Sequence, residues 1–191
     1  MRELEEIRNC LIEMKNISSL MIDLALSSVM YNSEEIAEEV YLLEEKMDEL
    51  TYKVKKLALE AAKKIDEPES MLSVIEMANI NEQISDSAYE IADIVLRDVE
   101  PHPIIRKIMH DVDEEIGRVK VKKGSILIGK SLRQLKLPSK IGVRIIAIKR
   151  GNKYIYDPQS SEVIQEGDTL IAVGAGVDRL RELAGEEEEE E

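Results

Sequence analysis

The chain has 191 residues, 43% of them apolar, with one cysteine, no tryptophan or phenylalanine and a formal net charge of −14. That length and composition suit one large or two small packed domains, and the excess of carboxylates argues against a general nucleic-acid binder, which needs a dense Lys/Arg face. A lone thiol, Cys10, cannot form an internal disulfide. One Cys and two His cannot complete a four-ligand N/S zinc shell either, so a metal here would be held mainly by oxygen. The opening MRELEEIRNC lacks the basic-then-apolar order of a secretory signal. The most apolar helical stretch, 18–31, carries Asp23 and four serines and falls short of the ~18–20 residues of a membrane span. A soluble, cytoplasmic protein with no transmembrane segment of its own is expected.

The total charge conceals a division. Residues 1–117 hold 12 basic and 28 acidic side chains, net −16, whereas 118–185 hold 14 and 6, net +8; six glutamates follow at 186–191. The organisation predicted is therefore an acidic domain over 1–117, a basic domain over 118–185 and a solvated, disordered polyglutamate tail over 186–191.

In the acidic half, apolar residues at Leu4, Ile7, Leu11, Met14, Ile17 or Ser18, Met21 and Leu24 recur at steps of three and four, which predicts a first helix over 4–29. Ser33, followed by Glu34 and Glu35, reads as the N-cap of a second helix running to about Ile65. Its Ile36, Val40, Leu43, Met47, Leu50, Val54 and Leu57 alternate by four and three as a heptad seam. A third helix is expected from Glu69 until the break at Pro101, and a short fourth over 104–116, stopped by Gly117. Long helices with short connections imply an antiparallel bundle. A bundle this thin keeps apolar surface on its flanks, so a homodimer or higher oligomer is predicted.

The centre of the third helix is unusually polar, with Asn79, Asn81, Glu82, Gln83, Ser85, Asp86 and Ser87 around only two large aliphatics, Ile80 and Ile84. Two explanations stand side by side: a polar packing device of the kind that fixes register in coiled coils, or a ligand site. Glu82 and Asp86 are four apart on one face, as are Glu44 and Asp48 on the second helix. Antiparallel packing of the two could gather four carboxylates, a donor set for divalent or iron-type cations. The Glu-x-x-His motif of di-iron bundles is absent, since neither His102 nor His110 follows an acid by three.

These strings, NINEQISDSAYEIADIV at 79–95 and LLEEKMDELTYKV at 42–54, resemble the signature and partner helices of PhoU-like proteins. The resemblance implies a helical bundle, a role in regulating phosphate uptake, and a metal held by Glu44, Asp48, Glu82 and Asp86. In that family two bundles usually occur in tandem. Here there is one, and Ser87 stands where a His is common.

After Gly117 the period changes to short β-rich runs at 119–121, 142–149, 153–156 and 168–173, with Gly151-Asn152 as a two-residue hairpin loop. Short helices are expected at 131–137, capped by Ser131 and stopped by Pro138, and at 177–183. The fold class predicted for the chain is therefore α+β in two domains, an N-terminal antiparallel helical bundle and a small C-terminal α/β domain. Gly174-Ala175-Gly176 lacks the third glycine of a dinucleotide fingerprint, and Ile128-Gly129-Lys130-Ser131 lacks the first glycine of a P-loop, so both read as turns. No nucleophile, base and oxyanion donor can be named together, which points away from an enzyme. What remains is a concentration of cations, readable as a solvated basic surface, a site for a small anionic ligand or a face for an acidic partner: Lys130, Arg133, Arg144, Lys149 and Arg150, with Lys136, Lys140 and Lys153 nearby.

The stretch IGKSLRQLKLPSKIGVRIIAIKRGNKYIYDPQSSEVIQEGDTLIAVG, 128–174, is similar throughout to the C-terminal domain of TrkA-type regulators of potassium conductance, the RCK_C domain. That resemblance implies a dimerising domain, in some members one that binds cyclic di-AMP in the dimer cleft. The family's usual Arg after the first helix is replaced by Pro138-Ser139-Lys140, and the Rossmann domain that often precedes the module is absent, so no NAD is expected. The reading is a non-enzymatic cytoplasmic regulator or accessory subunit of a membrane cation channel or transporter, most naturally for potassium. The alternative is a PhoU-like regulator of phosphate uptake with a carboxylate metal site.

Overall fold

The computed structural model describes residues 2–97, 99, 104 and 116–186. The chain divides into two compact units, a helical one followed by a small sheet with helices.

The helical unit comprises α1 (Arg2–Tyr31), α2 (Glu34–Ala62) and α3 (Met71–Leu96), each packed against the other two. Ser33 caps α2 as expected: its hydroxyl accepts from the Ile36 N–H at 3.3 Å, while Asn32, at φ 48°, makes the reversal from α1. α2 stops three residues before the expected end. The Asp66-Glu67-Pro68 segment instead leads into a 3-10 turn, Pro68–Ser70, that precedes α3. The heptad residues Ile36, Val40, Leu43, Met47, Leu50 and Val54 are buried, and Ala37, Thr51, Ala58 and Ala61 add a second buried stripe of small residues.

The buried seam of α3 is Ala78, Asn81, Ser85, Ala88, Ala92 and Val95, spaced three, four, three, four, three. Small side chains let α3 approach its neighbours closely, so its large aliphatics are not the seam: Leu72, Met77, Ile80 and Ile84 are exposed. Asn81 belongs to the packing. Its amide donates to the Met77 carbonyl at 2.9 Å and its oxygen accepts from the Ser18 hydroxyl of α1 at 3.2 Å. One step along, the Ser85 hydroxyl meets the Met21 sulfur at 3.0 Å. The polar centre of α3 is thus satisfied inside the bundle, as buried polar groups must be.

The second unit is a four-stranded sheet of order β1-β4-β2-β3, with β1 (Ile116–Lys120), β2 (Arg144–Arg150), β3 (Lys153–Tyr156) and β4 (Thr169–Val173), every pair antiparallel. Arg150 pairs with Lys153 across the expected Gly151-Asn152 loop. Gly117, expected to stop a fourth helix, is instead the second residue of β1, opposite Ala172. That helix, expected over 104–116, otherwise falls outside the described residues apart from Ile104, as does the tail beyond Glu186. The single helix expected over 131–137 is two: α4 (Leu132–Leu135) and α5 (Leu137–Ile141). Lys136 between them takes a left-handed φ of 51°, so the chain turns there, and Pro138 sits in the first turn of α5, where its missing N–H costs nothing, rather than terminating α4. The last helix, α6 (Val177–Ala184), packs on β1. One sheet face, including Val119, Ile145, Ile148, Leu170 and Ala172, builds the core with Leu127, Leu135, Ile164 and Leu180. Among the described residues no helix is long and apolar enough to cross a membrane.

Candidate functional site

The four carboxylates singled out on the bundle do face one another electrostatically. Burial raises the Glu44 carboxyl above its ordinary range, with Asp48, Asp86, Glu45 and Glu82 adding to the shift. Burial likewise raises Asp86, with help from Glu82, Asp48 and Glu90. They do not converge: among the described residues no three His, Cys, Asp or Glu side chains lie close enough to hold a metal ion. Lys55 also reaches across from α2 to pair with Glu82 at 3.3 Å. As arranged, Glu44, Asp48, Glu82 and Asp86 form an acidic patch partly neutralised by a lysine rather than a ready coordination shell.

The basic candidates separate into different environments. Arg150 is turned into its own domain: Nε and Nη2 grip the two oxygens of Asp168 at 2.8 and 2.9 Å, Nη1 donates to Glu162 at 3.0 Å, and Nη2 also donates to the Val163 carbonyl at 2.9 Å. Those anions raise its pKa further. It ties β2 to the loop before β4 and has little left to offer a ligand. Lys149 stands over the Tyr154 ring, 5.5 Å from its centroid, and Tyr154 stacks on Tyr156 at 5.7 Å, on the edge strand β3.

Arg144 lines a cavity of about 220 Å³, and Arg133 reaches one of its lining residues, Ser160, from outside. Its walls are Leu132, Leu137, Pro138, Val143 and Ile145, and its polar lining is Arg144, Asp157 and Ser160. The Ser131 capping box positions α4: its hydroxyl accepts from the Gln134 N–H at 3.3 Å and the Gln134 side chain accepts from the Ser131 N–H at 2.9 Å. That holds Arg133 beside the cavity, where Nη2 donates to the Ser160 hydroxyl at 3.1 Å. The arrangement offers apolar walls for a flat ring and one exposed guanidinium for an anionic group, with Asp157 able to accept from a donor. Lys130 points to a different cavity and does not join this one.

The two glycines after β4 serve the backbone and not a phosphate. A Cβ on Gly174, at φ 136°, would lie 1.9 Å from the Gly142 carbonyl oxygen, and one on Gly176 would lie 1.9 Å from that of Ile141. They let the start of α6 pass directly against the end of α5. Sequence spacing alone could not separate the two uses, and Leu132, Pro138, Pro158 and Ser160 carried no signal that they line a cavity.

Comparison with known proteins agrees with this two-part construction. The TrkA-C domain profile matches residues 116–185 and the PhoU domain profile residues 11–95. Ktr system potassium uptake protein C of Bacillus subtilis (strain 168) is 38% identical over 71 residues, 37% of this chain and 32% of that protein. The chain thus spans about a third of the length of that relative. Among solved structures, the RCK_C domain dimer of S. agalactiae BusR in complex with c-di-AMP is 28% identical, covering 37% of this chain and 95% of that one at a TM-score of 0.35. The RCK C domain of the potassium transport protein KtrA, also in complex with cyclic diadenosine monophosphate, is 26% identical, covering 42% and 94% at a TM-score of 0.34. The chain is thus a PhoU domain over residues 11–95 followed by a TrkA-C domain over residues 116–185.

Proposed function

We propose that this protein is a non-enzymatic, cytoplasmic regulatory subunit of a membrane potassium channel or transporter, and that its TrkA-C domain receives a small anionic effector, a cyclic dinucleotide in the first place, at the Arg144 cavity. The observations that carry the reading are the 38% identity over 71 residues to a potassium uptake protein and the TrkA-C match over 116–185, the segment that builds this cavity. The chemistry agrees with it: apolar walls suit a base, and Arg144 suits a phosphate. At about 220 Å³ the cavity is smaller than the ~300–1,000 Å³ of ordinary ligand pockets, so one domain offers half a site and a dimer the whole. Titration calorimetry of the full chain with cyclic di-AMP, cyclic di-GMP and ATP tests it. Saturable binding of one cyclic dinucleotide at one molecule per two chains, weakened about tenfold or more in Arg144→Gln, is expected. No binding of any of the three, or binding indifferent to Arg144→Gln, refutes the ligand assignment. Unchanged potassium-limited growth on deletion refutes the transporter assignment.

A second reading, a regulator of phosphate uptake with a metal on Glu44, Asp48, Glu82 and Asp86, is favoured by the PhoU match over 11–95. It requires the four carboxylates to close on a cation. Elemental analysis of protein purified without chelator, finding no iron, zinc, manganese or nickel, excludes it.

A further inference from the structure

On the other side of α5 from the Arg144 cavity lies a larger one, of about 550 Å³. Leu137 lines both, so α5 with its leading leucine is the wall between them. The larger cavity has an apolar interior, with Leu127 and Leu135 buried and Ile141 and Leu183 half-buried, and Ile126, 57% exposed, at its mouth. Three cations line it from three separate elements: Lys130 before α4, Lys140 on α5 and Arg179 on α6. Arg179 is partnered by Glu182 one turn on. Lys130 and Lys140 make no ion pair or side-chain hydrogen bond among the described residues. Among the described residues no carboxylate lines the cavity.

A half-open hollow of this size with leucine and isoleucine walls, on a domain of net charge +8 and bordered by two uncommitted ammonium groups, has a definite chemical preference. Water inside it lacks partners on the leucine walls, and a neutral apolar molecule would leave both lysines facing only solvent. An anion with no apolar body would gain the lysines and leave the walls wet. We propose that this cavity is a second ligand site of the TrkA-C domain, for an amphiphilic anion: a carboxylate or phosphate monoester carried on an apolar chain, the head between Lys130 and Lys140 and the chain against Leu127, Leu135 and Ile141. The assignment is independent of the Arg144 cavity and of any cyclic dinucleotide.

The test uses the full chain and three probes below the micellar range, decyl phosphate, decanol and inorganic phosphate, with binding followed by titration calorimetry. Decyl phosphate is expected to bind saturably, and each control about tenfold or more weaker, because each lacks one half of the interaction. Lys130→Gln with Lys140→Gln should bring decyl phosphate down to the level of decanol while leaving the thermal transition in place, since both lysines are exposed. Ile126→Glu, which sets a carboxylate at the mouth, should weaken decyl phosphate and spare the fold. The proposal is overturned if decanol binds as tightly as decyl phosphate, if the lysine variant binds decyl phosphate unchanged, or if Ile126→Glu dissociates an oligomer that excludes all three probes, which makes the hollow a contact between subunits.

Discussion

The Arg150 guanidinium makes four hydrogen bonds within its own domain, two of them to Asp168, a carboxylate only 1% exposed that also accepts from the Gln165 N–H at 2.8 Å. Removing one partner of such a pair leaves an uncompensated buried charge, which costs far more than the pair itself contributes. Arg150→Ala is therefore expected to destabilise the TrkA-C domain by about 3 kcal/mol in urea unfolding. Arg150→Lys recovers only part of that, because a single ammonium cannot bridge both carboxylate oxygens and reach Glu162. A loss too small to measure in Arg150→Ala would show that Asp168 is held by its backbone donor alone. In the sequence Arg150 stands among eight basic residues as one more candidate for an anion. A charge count cannot tell a cation engaged inside its domain from one facing solvent, and Arg144, six residues earlier, is of the second kind.

Along α2 and α3 the carboxylates carry a cost that the helices themselves impose. Glu44 and Asp86 have raised pKa values through burial and their acidic neighbours, so the folded bundle binds protons more tightly than the unfolded chain. Stability from these groups is then fullest below their ordinary values of 4.5 and 3.8 and is lost as pH rises toward the folded values. Glu44→Gln, which fixes the uncharged form, is expected to raise the melting temperature of the bundle at pH 7 and to have an effect that shrinks toward zero as the pH falls below 4.5. A variant no more stable than the parent at pH 7 would mean that water or cations already screen the patch. Helix legibility follows the same logic of what fills the interior. α2 was readable because its seam is made of large aliphatics from Ile36 to Val54. α3 was readable as a helix but not by face, because its seam is Ala78, Asn81, Ser85, Ala88 and Ala92, residues to which a search for large apolar side chains is blind. The α4–α5 break was hidden for another reason. Lys136 adopts φ 51° without being glycine, and Pro138, a residue that ordinarily stops a helix running into it, here starts one.

At the scale of the molecule, the same inversion of α3 exposes Ile80 and Ile84, at 43% and 36%, beside Ile22 of α1 at 42%. Together with Ile91, Gln83 and Ser87 they line a groove that carries no charged side chain, in a segment that holds 28 acidic residues among its first 117. Two copies of a segment with net charge −16 repel one another everywhere except where charge has been left out. Among the described residues this neutral apolar groove is therefore a surface on which the bundle can meet a second copy with little charge repulsion. Repulsion between the remaining faces is long-ranged and falls off with salt, while burial of isoleucine does not. Self-association is accordingly expected to strengthen as ionic strength rises from about 0.05 to about 0.5 M, in contrast to a contact made by opposite charges. Ile84→Asp should reduce it strongly at either salt, and because the residue is already exposed the monomer should keep its helical content. Sedimentation equilibrium over that salt range decides the matter. Association that weakens with salt, or that survives Ile84→Asp unchanged, would move the contact to the oppositely charged surfaces of the acidic and basic domains.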